Sequence, residues 1–249
     1  MIVQRERRRH ELFARIWEDL IPKVFQDVPS YYDRGNAVAS LGICSAWSNR
    51  FVQAMNLPIG AKVLDVCSGT HDVPLRMLRR NPSLQVFALD RSPHMLAEGQ
   101  RRARERGLTI DARVCDAHRL PFEDATFDAV TLQFATRHLR VSETFAEILR
   151  VLKPGGIFYH NDMLRPASRL IEVPYLAYLR ASVWFTAMLF GSSHESRRCI
   201  SYFAKAIRNF YKPSEMSELL QEIGFADVTH QDLLTGVLCF HIASKPPSA

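Results

Sequence analysis

At 249 residues, 47% apolar and 23% charged, the chain has the composition of a globular protein, with material for one large α/β domain or two small ones. Its formal charge of +6 is concentrated in Arg5, Arg7, Arg8 and Arg9 and in Arg101, Arg102, Arg104 and Arg106. Neither run carries interleaved aromatics, which argues for solvated helix faces and against a nucleic-acid partner. No stretch reaches the roughly 18–20 apolar residues of a membrane span, and five cysteines without a C-x-x-C pair favour neither a disulfide framework nor a metal site, so a cytoplasmic location is expected.

The first predicted element is an amphipathic helix whose apolar stripe comprises Leu12, Phe13, Ile16, Trp17, Leu20 and Ile21. Packing of that stripe on the protein's own core or on a second subunit is favoured over peripheral contact with anionic lipid. Residues 29–33 break the pattern, and a second helix is predicted over 37–55 with Leu41, Trp47 and Phe51 inward. Strands are then predicted at 63–66, 85–89, 112–115, 127–134 and 157–160, with helices at 73–80, 93–106 and 141–151 between them. That alternation implies a doubly wound, mostly parallel α/β sheet. Residues 169–210 read as an inserted helical cap rich in aromatics, followed by a helix at 213–223 and a closing pair of strands at 227–233 and 237–244. The corresponding division of the chain is 1–57 as an N-terminal helical segment, 58–166 with 211–249 as the α/β domain, and 167–210 as the cap.

Ligands of an open parallel sheet sit beyond the carboxyl ends of its strands. The candidates there are Asp65 with Ser68, Gly69 and Thr70 after the first strand, where backbone N–H groups meet a ligand at a helix start. Asp90 after the second is placed for ribose hydroxyls, and Asp116 with Ala117 after the third for an adenine ring. The fourth strand ends in Gln133 through His138. Each acid alone is more often a turn former or helix cap than a ligand, but three on successive strands form a pattern. A GxGxxG fingerprint and a phosphate loop ending in Gly-Lys-Ser/Thr are both missing, which weighs against NAD and ATP.

Several pieces together resemble one family. They are Tyr32-Asp33 with Asn36, Gly42-Ile43 with Trp47, Val63-Leu64-Asp65 with Gly69-Thr70 and Asp72, Leu120-Pro121-Phe122, Thr126-Phe127-Asp128, and Arg150 through Gly156. The chain resembles class I S-adenosylmethionine-dependent methyltransferases, and among them the UbiE/COQ5 type that methylates a ring carbon in ubiquinone and menaquinone biosynthesis. The resemblance implies a seven-stranded sheet and an S-adenosyl-L-methionine site over Asp65, Ser68, Gly69, Thr70, Asp72, Asp90, Arg91, Met95, Asp116, Ala117 and Gln133. It further implies a lid, made by the N-terminal segment and the cap, over a prenylated aromatic acceptor. Residues Tyr175 to Phe190 are placed to line such an apolar cleft.

Departures from the family pattern locate the open questions. His71 stands where the cofactor loop has a glycine, and Thr136-Arg137-His138 replaces Leu-Arg-Asn. Tyr202 is the one tyrosine kept from a cap motif. A phenolic acceptor needs a base near neutral pKa, and histidine suits that role. The expected catalytic set is therefore His138, Arg137, His71 and Tyr202. Two other readings compete with quinol C-methylation: methyl transfer to another small phenol, acid or lipid acceptor, and a non-catalytic scaffold of quinone synthesis. Homodimerisation is left open.

Overall fold

The computed structural model describes residues 2–247. Helix α1 (Ile2–Arg15) runs through a π-helical turn at Ile16–Leu20 into α2 (Ile21–Asp27). Its buried stripe is Phe13, Trp17, Ile21 and Val24, spaced three or four residues apart, whereas Leu12 is half-exposed. The single helix predicted over 37–55 is two, α3 (Tyr32–Ala39) and α4 (Ile43–Gln53). Leu41 and Gly42 between them hold φ of 51° and 79°, a left-handed pair that ends the first hydrogen-bond ladder. Leu41 is thereby turned outward, against expectation, while Trp47 and Phe51 are buried as read.

The alternating segment is β1 (Lys62–Val66), α5 (Asp72–Arg80), β2 (Gln85–Asp90), α6 (Pro93–Arg104), β3 (Asp111–Val114), β4 (Phe127–Gln133), α7 (Val141–Val151) and β5 (Leu152–Asp162). Helices α8 (Arg169–Leu189) and α9 (His194–Arg208) follow, then α10 (Pro213–Ile223), β6 (Ala226–Leu233) and β7 (Leu238–Ser244). One seven-stranded sheet results, in the order β3-β2-β1-β4-β5-β7-β6. The pairings are parallel from β3 to β5, and β7 is inserted antiparallel between β5 and β6. Val63, Leu64 and Val66 are fully buried, the continuous apolar run of a strand covered on both faces. Strand β5 begins earlier than read. Its first residues include the Lys153-Pro154-Gly155-Gly156 turn, and the register against β4 shifts between Phe127 and Ala129 to accommodate it.

One face of the sheet packs on α7 and α10 through Phe145, Ile148, Met216 and Leu220. The other packs on α4 and α5 through Phe51, Val52, Leu75 and Leu78. A third cluster joins Phe13, Trp17, Ile21 and Val24 of the N-terminal helices to Cys199, Tyr202 and Ala206 of α9 and to Met95 of α6. The N-terminal helices are thus fixed to α9 and to the carboxyl end of β2. No helix among the described residues is long and apolar enough to cross a membrane.

Candidate active site

The loop from β1 to α5 is tightly wound. Cys67, Gly69 and His71 have φ of 56°, 51° and 61°, so alternate residues sit in the left-handed region. The Ser68 N–H donates to the Leu89 carbonyl at 2.9 Å and the Gly69 N–H to Asp90 Oδ2 at 2.9 Å, which ties the loop to the end of β2. Asp90 Oδ1 accepts from the Ser92 N–H at 2.8 Å, and the Ser92 hydroxyl in turn caps α6 by accepting from the Met95 N–H. Burial raises the Asp90 carboxyl above its usual range, partly offset by those N–H donors.

Asp65 lies deeper. Its Oδ1 accepts from the Thr131 hydroxyl at 2.5 Å, and it has no ion-pair partner among the described residues. Burial lifts its carboxyl to about 7, against hydrogen bonds from Thr131 and Ser68 that favour the charged form. Asp116, at the end of β3, is open to solvent. Desolvation pushes its carboxyl up, but the backbone N–H and ring of His118 outweigh that and hold it below the usual range.

After β4 the chain makes a short 3₁₀ turn, Thr136–His138, that aims two consecutive side chains differently. Arg137 points into the protein, where Nη1 pairs with Asp162 Oδ1 at 2.8 Å while Asp162 Oδ2 accepts from the Thr136 N–H at 2.8 Å. His138 faces the cleft. Its Nδ1 lies 2.7 Å from the Tyr202 hydroxyl, which accepts from Trp17 Nε1 at 2.8 Å and stands 3.4 Å from the Arg137 carbonyl. The hydroxyl has one proton, for the Arg137 carbonyl or for Nδ1; given to the carbonyl, it leaves Nδ1–H donating to Tyr202 and Nε2 with a lone pair. Nε2 is buried and meets no hydrogen-bonding group among the described residues. Burial, with Arg137 and Arg9 nearby, holds the His138 imidazole well below its ordinary pKa, so it is neutral at pH 7.

The same turn is held from the far side by Arg9. Its Nη2 donates to the carbonyls of Thr136, Arg137 and Leu139 at 3.5, 3.2 and 3.3 Å, and its guanidinium lies 4.7 Å from the Phe210 ring centre. Glu6 pairs with Arg9 at 2.5 Å, and its other oxygen accepts from the Val141 N–H at 2.8 Å at the start of α7. Arg9 is therefore no solvated surface charge but among the most buried side chains, contrary to the sequence reading. Arg102 departs from that reading too, since it pairs with Asp33 and donates to the Thr70 carbonyl at 2.9 Å. Asp33 also accepts from the Thr70 hydroxyl at 2.9 Å. One carboxylate on α3 thus ties the N-terminal segment to both the β1–α5 loop and α6.

A cleft of about 750 Å³ opens beyond the carboxyl ends of β1 to β4, roofed by α1 to α4. Asp65, Ser68, Gly69, Thr70, Asp72, Asp90, Arg91, Met95, Asp116, Ala117, Gln133 and His138 all line it. His71, Arg137 and Tyr202 do not. The His71 ring turns away against α6, with Nδ1 on the Ser68 hydroxyl at 2.8 Å and Nε2 buried without a partner among the described residues. Burial first, and Arg102 second, lower its pKa to about 4. The aromatics of α8 stay outside the cleft, whose apolar wall comes instead from Trp17, Ile21, Phe25 and Tyr32 of the N-terminal helices. Of these, Trp17 and Ile21 read in sequence only as a core stripe, and Tyr32 only as part of a family motif. The buried face of a helix and the wall of a cleft give the same periodicity.

This strand order, with an antiparallel seventh strand and an acid at the carboxyl end of each of the first three strands, defines the class I methyltransferase architecture. Among solved structures it is shared with the geranyl diphosphate C-methyltransferase of Streptomyces coelicolor A3(2), in complex with S-adenosyl-L-homocysteine (TM-score 0.59, 16% identity, 81% of this chain and 79% of that one). It is shared also with the phosphoethanolamine N-methyltransferase 2 of Haemonchus contortus in complex with S-adenosyl-L-methionine (TM-score 0.58, 17% identity, 88% of this chain and 60% of that one). Residues 14–245 match the ubiE/COQ5 methyltransferase family, and the chain belongs to it. Its relatives include the demethylmenaquinone methyltransferase of Anoxybacillus flavithermus, 33% identical over 92% of this chain and 97% of that protein. The mitochondrial 2-methoxy-6-polyprenyl-1,4-benzoquinol methylase of Drosophila melanogaster is 30% identical over 92% of this chain and 80% of that protein.

Proposed function

We propose that the chain transfers a methyl group from S-adenosyl-L-methionine to a ring carbon of a prenylated quinol of the demethylmenaquinol or ubiquinol-precursor type. The observation that carries this reading is one cleft with two chemistries. Its floor bears Asp65, Asp90 and Asp116, its roof bears Trp17, Ile21 and Phe25, and the neutral His138 touches Phe25 between them (ring centres 6.2 Å apart). The names of the relatives support the same acceptor class.

The donor set fits the cofactor. Asp65 is a buried carboxylate without a countercharge, a site that a cationic ligand would stabilise. Asp65 with the backbone of the 68–70 loop would hold the amino-acid end, Asp90 the ribose hydroxyls, and Asp116 with Ala117 the adenine. When bound, S-adenosyl-L-methionine supplies a methyl group already activated on a sulfonium. What the protein must add is alignment and removal of a phenolic proton. His138, on the cleft wall, is the group that would accept it, through Nε2 once a side-chain shift uncovers that buried atom. Taking that proton makes His138 an imidazolium beside Arg137, which its low basicity disfavours, so the transfer would run together with attack of the ring carbon on the methyl group, and the proton would then pass to solvent. Arg137, locked on Asp162, positions the turn and supplies positive potential.

The test is incubation of the purified chain with S-adenosyl-L-methionine and a chemically reduced 2-prenyl-1,4-naphthoquinol. Gain of one ring methyl by mass spectrometry and NMR is expected. Methylation of unprenylated phenols but not of this quinol would transfer the assignment to another acceptor. No calorimetric affinity for the cofactor would leave only the scaffold reading.

A further inference from the structure

The apolar stripe of the first helix, the natural suspect for contact with lipid, is buried in the protein. The exposed apolar stripe belongs to α8. Leu170, Val173, Trp184, Phe185, Met188 and Leu189 are each more than half exposed, and Ala177 and Ala181 continue the line between them. From residue 170 to 189 the stripe runs about 28 Å along the helix. Singly exposed apolar residues need no explanation, but a contiguous helical row of them does.

Charge distinguishes the occupants. The exposed charged side chains on α8 and α9 whose placement is described are Arg169, Arg180, Arg197, Arg198, Lys205 and Arg208, all basic. The acid of α8, Glu172, is buried and shared between Arg165 and Arg208, and the sequence holds only one other in this segment, Glu195. A second copy of the chain would bring a face of the same positive sign to this one. An anionic lipid surface brings the opposite sign, together with an apolar layer at the depth that Trp184 and Phe185 reach.

We infer that the outer face of α8 docks the protein on anionic bilayers, lying in the headgroup region with the arginines at lipid phosphates. The arrangement places the cleft close by. Helix α3 lines the cleft with Tyr32, Asp33 and Asn36, and its opposite side packs on α8, where Gly35 faces Thr186 and the Ala39 carbonyl accepts from the Tyr178 hydroxyl at 2.7 Å. One helix therefore separates the docked surface from the cleft. Docking through α8 rests on the exposed stripe and its charge, whatever the methyl acceptor.

The full chain is sedimented with vesicles of phosphatidylcholine containing about a third phosphatidylglycerol, and with vesicles of phosphatidylcholine alone. Binding to the anionic vesicles is expected, weakened when salt is raised to about 0.5 M. Trp17 and Trp47 are buried, so quenching of tryptophan fluorescence by brominated lipid reports Trp184. Arg180→Glu should weaken binding by about fivefold or more, from the usual contribution of one basic residue near an anionic surface. The triple variant Trp184→Ser, Phe185→Ser, Met188→Ser should abolish it while keeping a cooperative melt and cofactor affinity; each side chain is nearly half buried, so a lower melting temperature is expected. Wild-type protein that stays in the supernatant overturns the inference. So does a triple variant that binds as before, or a wild-type dimer in analytical ultracentrifugation that the triple variant converts to monomer.

Discussion

The ring of His71 fills the space that a side chain at residue 99 would need. A Cβ on Gly99, in the middle of α6, would stand 2.6 Å from two ring atoms of His71. An imidazole in the left-handed β1–α5 loop is tolerated because a glycine on the neighbouring helix gives way to it. Alanine at 99 would gain about 1 kcal/mol in helix propensity but lose about 1–3 kcal/mol to overpacking. Gly99→Ala should therefore destabilise the protein, and should stabilise it once His71→Gly has removed the ring. Urea unfolding of the four proteins in that double-mutant cycle should give a coupling of about 2 kcal/mol. A coupling near zero would mean that the ring does not lie there.

Asp65 predicts the pH dependence of cofactor binding. Its folded pKa of about 7 lies above the unfolded carboxylate value. The unliganded protein therefore keeps this contribution to stability below the unfolded value and loses it as pH rises through about 7, where a buried charge must form. A cationic ligand favours the ionised form, so affinity for S-adenosyl-L-methionine should rise as pH is taken upward through 7. Calorimetry between pH 6 and about 8.5 measures this. Asp65→Asn should flatten the profile and weaken binding at its alkaline end. An unchanged slope in the variant would locate the titrating group elsewhere.

Removing His138 should leave binding intact and slow chemistry. His138→Ala is expected to lower kcat by about 10²–10⁴-fold, the usual contribution of a positioned base. Tyr202→Phe keeps the packing on Phe13 and removes the hydroxyl that selects the tautomer, with an expected loss of about tenfold. Full turnover in His138→Ala would end its assignment as base.

Arg9 offers a test of the turn's support. Replacing it by methionine keeps much of the packing on Phe210 but removes the shared charged donor of the carbonyls of residues 136, 137 and 139, of which the first keeps the Leu139 N–H and the second the Tyr202 hydroxyl. Stability should fall by about 3 kcal/mol, the scale of losing charge-assisted hydrogen bonds in a buried setting. Chemical denaturation measures that loss, and kcat should fall with cofactor affinity kept. A loss under about 0.5 kcal/mol would return Arg9 to the solvated surface.

The strands and the acids after them were readable because a two-sided sheet forces continuous apolar runs, as at Val63–Leu64–Val66, and topology then dictates where ligands meet the chain. Arg9 was misread because it sits in a run of arginines. Its distinguishing sign was available: Arg9, Phe13, Trp17 and Ile21 are spaced by four and share one helix face. Nothing local, by contrast, pairs His71 with Gly99, because that contact exists only across two packed elements. Helix α8 carries apolar residues on every side in sequence, and only its packing tells the buried Leu176 from the exposed Trp184.

The clamp on the 136–139 turn also sets an order of events during synthesis. Arg9 finds its carbonyls about 130 residues downstream, Trp17 its tyrosine 185 residues downstream, and Arg5 its Glu215 partner 210 residues downstream. On the ribosome, the helix bearing Phe13 and Trp17 therefore waits, its greasy side uncovered, until nearly the whole chain has emerged. The interval in which this protein is most exposed to aggregation is written into its connectivity, and a chain cut short before α9 would carry that exposed helix permanently.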